Sequence, residues 1–486
     1  MDYLRIGLKV ILNIKEVELK LTNWIKKTPL TLGLLTLLLG VQFWFSSDAN
    51  ASSGHGAAAA QTFLWIAIIL LAAKISGFVE RFGQPAVLGE LVIGVLIGNM
   101  VLLGCDFFEP IKHQPIIEFL SELGVVILLF QIGLESTLGD MLKVGKVSLM
   151  VAVAGVVVPF VVGTYMVGPL LLPGLDFNAY LFFGATMTAT SVGITARVFK
   201  DLNALNTPEA RIVLGAAVID DILGLILLAV ISVIVTTGTA SVGLVAVILA
   251  KAIGFLIGSF LLGHFLAPSM NTLFSKIHAG REMKFTLAIS TCLVFAYAAQ
   301  LIGLAPIVGA FAAGLVVTPI HFKDFDEPEV ASDLKSLTTN MSVEEKKSVE
   351  ALIHKYEHHH VDHLIEPLAH FLVPIFFVLT GINVKLDTLF DPKVLTVAIG
   401  LSIAAILTKL VTGFFAGKVN RMIVGWGMVP RGEVGLIFAM IGKSLGVVND
   451  EVFSVIVIMV IITTLVTPPM LGMLIKKQKK AASNQA

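Results

Sequence analysis

Two adjacent aspartates, Asp220 and Asp221, lie in a stretch from Ile212 to Ile234 that is otherwise aliphatic, apart from glycine and one serine. A charge near the centre of a bilayer costs about 2.5–3.5 kcal/mol on insertion scales, and intramembrane carboxylates usually mark a path for ions or protons. Neighbouring residues on a helix point about 100° apart, so the two carboxylates cannot face one ligand equally. The pair therefore predicts an ion or proton site in which the two aspartates have different tasks. A buried ion pair that only fixes packing is the alternative.

A buried carboxylate can exchange one ligand for another. Hard cations take oxygen ligands, which carboxylates, hydroxyls and backbone carbonyls supply. Burial disfavours the charged form of a carboxyl group, so near neutral pH it can hold either a proton or a cation. A ligand shifts a conformational equilibrium only through its different affinities for the two states. We therefore expect the empty, charged site to resist crossing an apolar seal that the occupied site can cross.

Composition places these carboxylates in a membrane protein. Of the 486 residues, 56% are hydrophobic and 14% are charged, whereas soluble domains carry about 25% charged residues. Mean hydropathy is +0.91. The formal net charge is zero, so there is no basic footprint of nucleic-acid binding. Cys105 and Cys292 fall in or beside apolar stretches and predict neither a disulfide framework nor a metal site, and no cofactor is expected.

Apolar runs of membrane-spanning length recur along the chain and predict an all-α polytopic membrane protein with about thirteen transmembrane helices. An earlier run, Leu30 to Phe45, leads to Ala49-Asn50-Ala51 and is either a signal peptide or an extra span. The predicted spans are 61–80, 85–104, 117–135, 147–172, 179–199, 210–236, 241–268, 283–303, 305–319, 367–384, 392–417, 421–446 and 452–475.

These spans divide the chain into five parts. Residues 1–60 hold the signal peptide or extra span and a linker, and residues 476–486 form a basic tail. Between them, a first membrane part (61–319) and a second (366–475) flank a polar loop (320–365). Lysine and arginine concentrate in alternate connections, and basic loops face the cytoplasm. The C-terminus is therefore expected on the cytoplasmic side.

Two spans are interrupted at mid-membrane depth. Hydroxyls and glycine break the first from Ala185 to Thr195, and glycines with Pro430 break the second from Gly425 to Gly435. Unpaired backbone in a membrane must be buried or line a watery cavity, and broken spans in matching positions of two halves mark a transporter's midplane site. Each lies in the middle of a group of three spans. An odd offset of seven spans between the groups predicts inverted repeats with two crossed discontinuous helices, the alternative being ordinary kinks.

Seven stretches together resemble bacterial cation/proton antiporters of the Kef and NapA type, in the two-aspartate sodium/proton branch. They occur in the family's order and cover most of residues 61–475. The stretches are Gln84–Glu90, Leu123–Glu135, Ala189–Phe199, Val218–Gly224, Ile307–Gly314, Pro374–Gly381 and Met428–Ile437.

The resemblance implies roles for the charged residues. Asp221 is the main carrier of the cation, Na⁺ in the first place, and of the proton, while Asp220 pairs with Lys409. An Asp-Asp pair with a lysine implies electrogenic exchange, in which more protons than cations move per cycle. The resemblance also implies alternating access between a mobile ion-carrying unit and a scaffold that forms a homodimer, in a bacterial inner or internal membrane.

Residues at the two breaks are also assigned by the resemblance. Thr190 and Ser191 lie near the crossing, where their oxygens can face the ion, and Arg431 and Glu433 help to hold the second break. The partners expected are Na⁺ (or K⁺ or Li⁺), protons and the lipid bilayer. A Kef-like K⁺ efflux system, acting as a K⁺/H⁺ antiporter or a channel, and an ion-sensing membrane receptor are the alternative functions. An enzyme is not expected, because adjacent aspartates on one helix do not converge on one water as a protease requires.

Other polar residues are weaker candidates. Glu90 lies near a span end and is expected to be hydrated or paired, and Lys385 and Lys443 are expected to extend toward water at outer span ends. The loop suggests regulation, because a capping box at Ser342 and Glu345 predicts a helix from about 343 to 363. On that helix, histidines could sense pH or bind a metal such as zinc, although a solvated loop is the alternative. The histidines are His354, His358, His359, His360 and His363.

Overall fold

The computed structural model of the protein describes residues 55–82, 84–135, 145–202, 204–205, 207–238, 242–317, 325, 360–385 and 392–483. Every regular element in these residues is helical. The α-helices are α1 (His55–Ser76), α2 (Ala86–Gly98), α3 (Pro115–Glu135), α4 (Lys146–Val162), α5 (Phe177–Thr186), α6 (Val192–Asp201), α7 (Pro208–Thr237), α8 (Val242–Ile277), α9 (Arg281–Leu301), α10 (Pro306–Val316), α11 (His360–Ile382), α12 (Pro392–Leu410), α13 (Arg421–Gly427), α14 (Glu433–Ser444) and α15 (Asp450–Ser483).

The all-helical membrane architecture predicted from composition is confirmed. Within the described ranges, nine helices are long and apolar enough to cross a membrane, and two shorter apolar helices occur at Ala86–Leu102 and Pro306–Val316. The remaining predicted spans, 179–199 and 421–446, are the interrupted pairs α5–α6 and α13–α14. Each predicted span thus coincides with helical structure, and the number of membrane crossings stays a prediction.

Local sequence signals begin and end several of these helices. The side chain of Asp176 accepts a hydrogen bond from the Asn178 amide at the start of α5. Thr207 accepts one from Ala210 at the start of α7, and α7 ends at Gly238, whose φ of 68° is left-handed. These bonds satisfy backbone donors that the first turn of a helix leaves without intrahelical partners.

Helices α4 to α7 and α12 to α15 form one packed group, here called the crossing helices. A helix, an interrupted helix and a second helix follow one another in both halves of this group. In the first half α4 packs on α7, and in the second half α12 packs on α15, so the two triplets repeat the same arrangement. In this arrangement the interrupted helix of the first triplet lies against the interrupted helix of the second.

Helices α2, α3, α9, α10 and α11 form a second group, here called the scaffold helices. They approach so closely that glycines face the backbone of the neighbouring helix. A Cβ added at Gly94 would collide with the Val378 carbonyl, and one at Gly314 with the Phe130 carbonyl. Among the described helices, the closest backbone packing lies within one group or the other, and α8 packs on both α7 and α10.

Candidate functional site

The two helix interruptions are in direct contact. Residues 187–191 separate α5 from α6, and residues 428–432 separate α13 from α14. The Ser191 amide donates a hydrogen bond to the Pro430 carbonyl at 2.8 Å, which joins the two breaks through their backbones. The predicted crossing of two discontinuous helices is thereby present in the structure.

Threonine hydroxyls satisfy the carbonyls that the second break exposes. Thr195 Oγ1 donates to the Gly427 carbonyl at 2.7 Å, and Thr190 Oγ1 donates to the Met428 carbonyl at 3.2 Å. The last carbonyls of a helix lack intrahelical donors, and an unsatisfied carbonyl in an apolar setting costs several kcal/mol. Thr190 therefore helps to hold the crossing together, and in this arrangement its hydroxyl hydrogen is used by Met428.

Arg431 is fully buried and ties both breaks to one guanidinium. Its Nη2 donates to the Met187 carbonyl at 2.6 Å, and its Nη1 donates to the Val429 carbonyl at 2.9 Å. Met187 directly follows α5 and Val429 lies just beyond α13, so a single cation faces the carboxyl ends of two half-helices. A positive charge is favourable there, because the helix dipole makes that end partly negative.

Asp220 and Lys409 form an ion pair across the two triplets. Lys409 Nζ lies 3.3 Å from each carboxylate oxygen of Asp220, and both side chains are 0% exposed. Gly155 on α4 makes room for them, since a Cβ there would lie 3.0 Å from Lys409 Nζ. The structure thus brings together two residues that are 189 positions apart in the chain.

Asp221 lies beside this pair but does not share it. Its side chain is 4% exposed, and its Oδ1 has no hydrogen-bond partner within the described residues. The charged groups that act on it are Asp220, Glu433 and Lys409. With Arg431, two basic and three acidic side chains surround the crossing, so one carboxylate has no counter-charge. Asp220 is bound by Lys409, and Glu433 accepts a hydrogen bond from Ser191, so Asp221 is the carboxylate at the crossing with an oxygen that has no partner among the described residues.

Glu433 opens α14 and faces a cavity of about 200 Å³. Its Oε2 accepts a hydrogen bond from Ser191 Oγ at 3.2 Å, so the carboxylate and the hydroxyl lie together at the cavity wall. The N-terminus of a helix is favourable for a negative side chain. Carboxylate and hydroxyl oxygens are the ligands that hard cations prefer. Asp221 is not among the residues that line this cavity.

Most of the histidine-rich loop lies outside the described residues, including His354, His358 and His359. His360 opens α11, and His363 Nδ1 lies 3.4 Å from Glu366 Oε2 on the exposed face of that helix. No group of three or more His, Cys, Asp or Glu side chains able to hold a metal ion occurs in the described ranges. The regulatory role of these histidines stays a prediction.

Lys385 and Lys443 do not simply extend to water, as their sequence positions suggest. Both pair with Asp450, at 2.8 Å and 2.9 Å respectively. Lys385 follows the scaffold helix α11, whereas Lys443 and Asp450 belong to crossing helices. Spacing along the chain does not show this contact, because the partners come from three different elements.

The expectation that Glu90 is hydrated or paired stays a prediction, and the residue lines a cavity of about 430 Å³. Its side chain is 7% exposed, and it makes no ion pair within the part of the chain that the structure describes. A charged residue in the otherwise apolar helix α2 is the sequence signal that it could carry more than a packing role.

Similarity to known proteins agrees with this geometry. The family described as "Sodium/hydrogen exchanger, transmembrane" matches residues 22–344 and 348–477. The High-affinity Na(+)/H(+) antiporter NhaS3 of Synechocystis is 37% identical over 438 residues, covering 82% of this chain and 86% of that protein. The Na(+)/H(+)-K(+) antiporter GerN of Bacillus cereus is 35% identical over 405 residues, covering 81% of this chain and 91% of that protein.

A solved structure shares the fold. The sodium proton antiporter MjNhaP1 of Methanocaldococcus jannaschii aligns with a TM-score of 0.60 at 15% identity, covering 84% of this chain and 96% of that one. The match along most of the sequence, together with the crossed helices, identifies the chain as a member of the transmembrane sodium/hydrogen exchanger family.

Proposed function

We propose that this protein exchanges Na⁺ for protons across a bacterial membrane by alternating access, with Asp221 as the shared binding residue. The observation that carries the proposal is the buried carboxylate of Asp221, one oxygen of which has no partner among the described residues, beside an ion pair that already occupies Asp220. At an effective dielectric constant of about 20, two unit charges 4 Å apart interact by about 4 kcal/mol. An uncompensated carboxylate in this position therefore attracts a counter-charge strongly.

Either ligand can supply that counter-charge. A proton neutralises Asp221 directly, and Na⁺ does so as a bound ion, so the two compete for one position. Ser191 and Glu433 are candidates for further oxygen ligands, because both face the cavity at the crossing. The occupied site is formally neutral and the empty site carries one negative charge. This difference favours movement of the site only when a ligand is bound.

The packing of the helices supports alternating access. The cavity of about 200 Å³ and a second one of about 510 Å³ both lie between the scaffold helices and α14. The first includes Phe377 and Leu436 in its wall, and the second includes Phe376 and Ile437. Adjacent residues of α11 and α14 thus separate the cavities with apolar side chains. Sliding of the crossing helices along the scaffold would move the site past this apolar layer.

We propose that exchange is electrogenic, with more than one proton per cation. Lys409 is a second group that can release a proton when its pairing with Asp220 changes.

The scaffold helices are proposed to form a homodimer, with the C-terminus on the cytoplasmic side of a bacterial inner or internal membrane. The division into two membrane parts joined by the loop 320–365 belongs to the same proposal.

Potassium is the second candidate cation. NhaS3 and GerN are both named for Na⁺/H⁺ exchange, and the name of GerN also includes K⁺. An oxygen-lined site can hold either ion, since the two differ in size rather than in ligand preference. Sodium is proposed first because the name of NhaS3, the more similar of these two relatives, gives Na⁺ as its cation.

Purified protein in sealed proteoliposomes tests the proposal. Na⁺, Li⁺ and K⁺ are added in turn while a pH-sensitive dye inside the vesicles reports proton movement. We expect Na⁺ to drive proton movement in wild-type protein. Asp221→Asn should reduce it to background, because the substitution removes the titrating group and the charged cation ligand together.

The matched control is Asp106→Asn, which changes an exposed aspartate away from the crossing. It should retain wild-type rates, and thermal unfolding should show that both variants are folded. Exchange at the wild-type rate in folded Asp221→Asn protein would falsify the assignment of Asp221. Proton movement driven only by K⁺ would show that the transported cation is K⁺, the second candidate, rather than Na⁺.

A further inference from the structure

Five consecutive carbonyls at the second break, from Gly427 to Arg431, accept hydrogen bonds from side chains or from the first interrupted helix. The donors to the first four belong to the interrupted helix α5–α6 or to the Arg431 guanidinium. The fifth carbonyl is that of Arg431 itself, and its donor is Thr464 Oγ1 of α15 at 2.7 Å. At this carbonyl the break is therefore held by a continuous helix that neither break interrupts.

The preceding threonine of α15 binds the other backbone group of the same residue. The Arg431 amide donates to Thr463 Oγ1 at 3.4 Å. That oxygen can accept a hydrogen bond because it donates its own hydrogen to the Met459 carbonyl within α15, at 2.9 Å. Both threonine side chains are buried. Arg431 is thus held through its backbone by α15 and through its guanidinium by the ends of α5 and α13.

The peptide group that Thr464 binds leads directly into the wall of the cavity at the crossing. It joins Arg431 to Gly432, and a Cβ at Gly432 would lie 2.8 Å from Ser191 Oγ. The next residue, Glu433, opens α14 and accepts a hydrogen bond from the same hydroxyl. Thr464 lines this cavity of about 200 Å³ together with Ser191 and Glu433. A shift of the peptide would therefore move the carboxylate and the hydroxyl relative to each other.

A third buried threonine of α15 shows the arrangement that packing alone requires. Thr467 Oγ1 donates to the Thr463 carbonyl of its own helix at 2.7 Å, which is a common way for threonine to satisfy its hydroxyl within a helix. Thr464 differs, because it donates its hydroxyl hydrogen to the second break. A hydroxyl at position 464 is thus needed for the break rather than for α15.

We infer that Thr464 is a positioning residue, which fixes the peptide before Gly432 and so holds the cation ligands proposed at the cavity wall. The inference rests on the proposed exchange and deepens it by naming a residue that orients those ligands. A hard cation takes several oxygen ligands, whereas a proton on Asp221 needs one. Loss of the Thr464 hydroxyl should therefore weaken binding of the cation and leave the proton on Asp221 unaffected.

The test measures Na⁺-driven proton movement in proteoliposomes as a function of Na⁺ concentration. Thr464→Val removes the hydroxyl at nearly constant shape and leaves the Arg431 carbonyl without its donor. We expect the KM for Na⁺ to rise about tenfold, the lower end of the loss in affinity when groups that orient metal ligands are removed. The maximal rate at saturating Na⁺ should stay close to wild type. Thr464→Ser keeps the hydroxyl and should restore the wild-type KM.

Thr467→Val is the matched control, because it makes the same change at a buried position of the same helix whose hydroxyl bonds within α15. It should leave the KM unchanged. Thr463→Val should raise the KM less than Thr464→Val, since its contact with the break is longer. Thermal unfolding in detergent shows which variants are folded. If Thr464→Val does not fold, Thr464→Ala and Thr464→Ser take its place, because they differ only in the hydroxyl.

Three outcomes would overturn the inference. They are an unchanged KM in folded protein without the Thr464 hydroxyl, an equal rise in Thr467→Val, and a Thr464→Ser protein that binds Na⁺ as weakly as the variant without a hydroxyl. A lower unfolding temperature with an unchanged KM belongs to the first outcome and would mean that Thr464 stabilises the fold only. Absence of Na⁺-driven exchange in wild-type protein would instead refute the proposed function.

Discussion

The scaffold helices and the crossing helices are stabilised in different ways. In the scaffold, glycines bring helix backbones into contact, as where Gly381 of α11 meets the Leu91 carbonyl of α2. In the crossing helices glycine contacts also occur, as where Gly184 of α5 meets the Phe160 carbonyl of α4. Fully buried charges meet there as well, with Lys409 on Asp220 and Arg431 on the carbonyls of two broken helices. Small residues let membrane helices approach closely, and polar groups within a membrane are costly unless they are paired.

This difference indicates what each group is suited to do. Backbone contact through glycine leaves little freedom for a helix to slide or rotate, so the scaffold is suited to remain fixed. The crossing helices bury their charges among themselves, and the cavities of about 200 and 510 Å³ lie along their border with the scaffold. A unit that carries its own counter-charges can move past an apolar surface at a lower cost than an isolated charge.

The largest effect is expected from breaking the buried ion pair. Lys409→Met leaves Asp220 charged, buried and without its partner. Removal of one member of a buried ion pair lowers the free energy of unfolding by about 3–5 kcal/mol. Thermal unfolding in detergent should show a large loss of stability, whereas Lys418→Met, at an exposed lysine, should change little. Adding Asp220→Asn should recover part of the loss, because the unpaired charge is then removed.

The double substitution also decides whether the two residues interact. If the stability lost in the Asp220→Asn/Lys409→Met protein equals the sum of the losses in the single variants, the residues are independent and the pair does not stabilise the fold. A smaller loss than that sum supports the ion pair seen between the two triplets.

An intermediate effect is expected in the scaffold. Gly381→Ala forces a methyl group against the Leu91 carbonyl, and overpacking of this kind costs about 1–3 kcal/mol. Gly254→Ala on α8 is the matched control, because nothing lies within 4 Å of a Cβ at that position. The control should be neutral or stabilising by up to about 1 kcal/mol, since alanine favours helix over glycine. Equal unfolding temperatures for the two variants would contradict the close packing of α2 on α11.

The smallest effect is expected where the two groups meet at the surface. Asp450→Asn removes the contacts to Lys385 and Lys443, and exposed ion pairs contribute about 0.2–1 kcal/mol. A double-mutant cycle with Lys385→Gln measures the coupling between scaffold and crossing helices, and Glu451→Gln is the neighbouring control. The coupling should fall in concentrated choline chloride, because salt screens exposed charges. A coupling of zero at low salt would contradict an ion pair between Lys385 and Asp450 that joins the scaffold helices to the crossing helices.

Sequence patterns predicted the features that depend on neighbouring residues. Span positions followed from runs of apolar residues, and both helix breaks followed from hydroxyls, glycine and proline within such runs. The structure narrows the breaks to residues 187–191 and 428–432, inside the predicted stretches. The unequal environments of Asp220 and Asp221 followed from helix geometry alone, because adjacent residues cannot point the same way.

Contacts between distant segments could be predicted only from the family resemblance, or else were seen only in the tertiary structure. Pairing of Asp220 with Lys409 was expected from the resemblance alone, since no local pattern links residues 189 positions apart. The contacts of the Arg431 guanidinium with both broken helices, the burial of Glu90 and the pairing of Lys385 with Asp450 were decided only by the packing of helices.

The physical reason lies in how each kind of information is encoded. Hydrophobicity, periodicity and backbone preference act over a few residues, so the chain itself determined that it spans a membrane, where its helices break and that carboxylates are buried within it. A charge takes its partner from whichever helix packs against it, and that choice depends on close contacts such as Gly155 beneath Lys409. Tertiary packing therefore paired Asp220 with Lys409 and left Asp221 Oδ1 without a hydrogen-bond partner among the described residues.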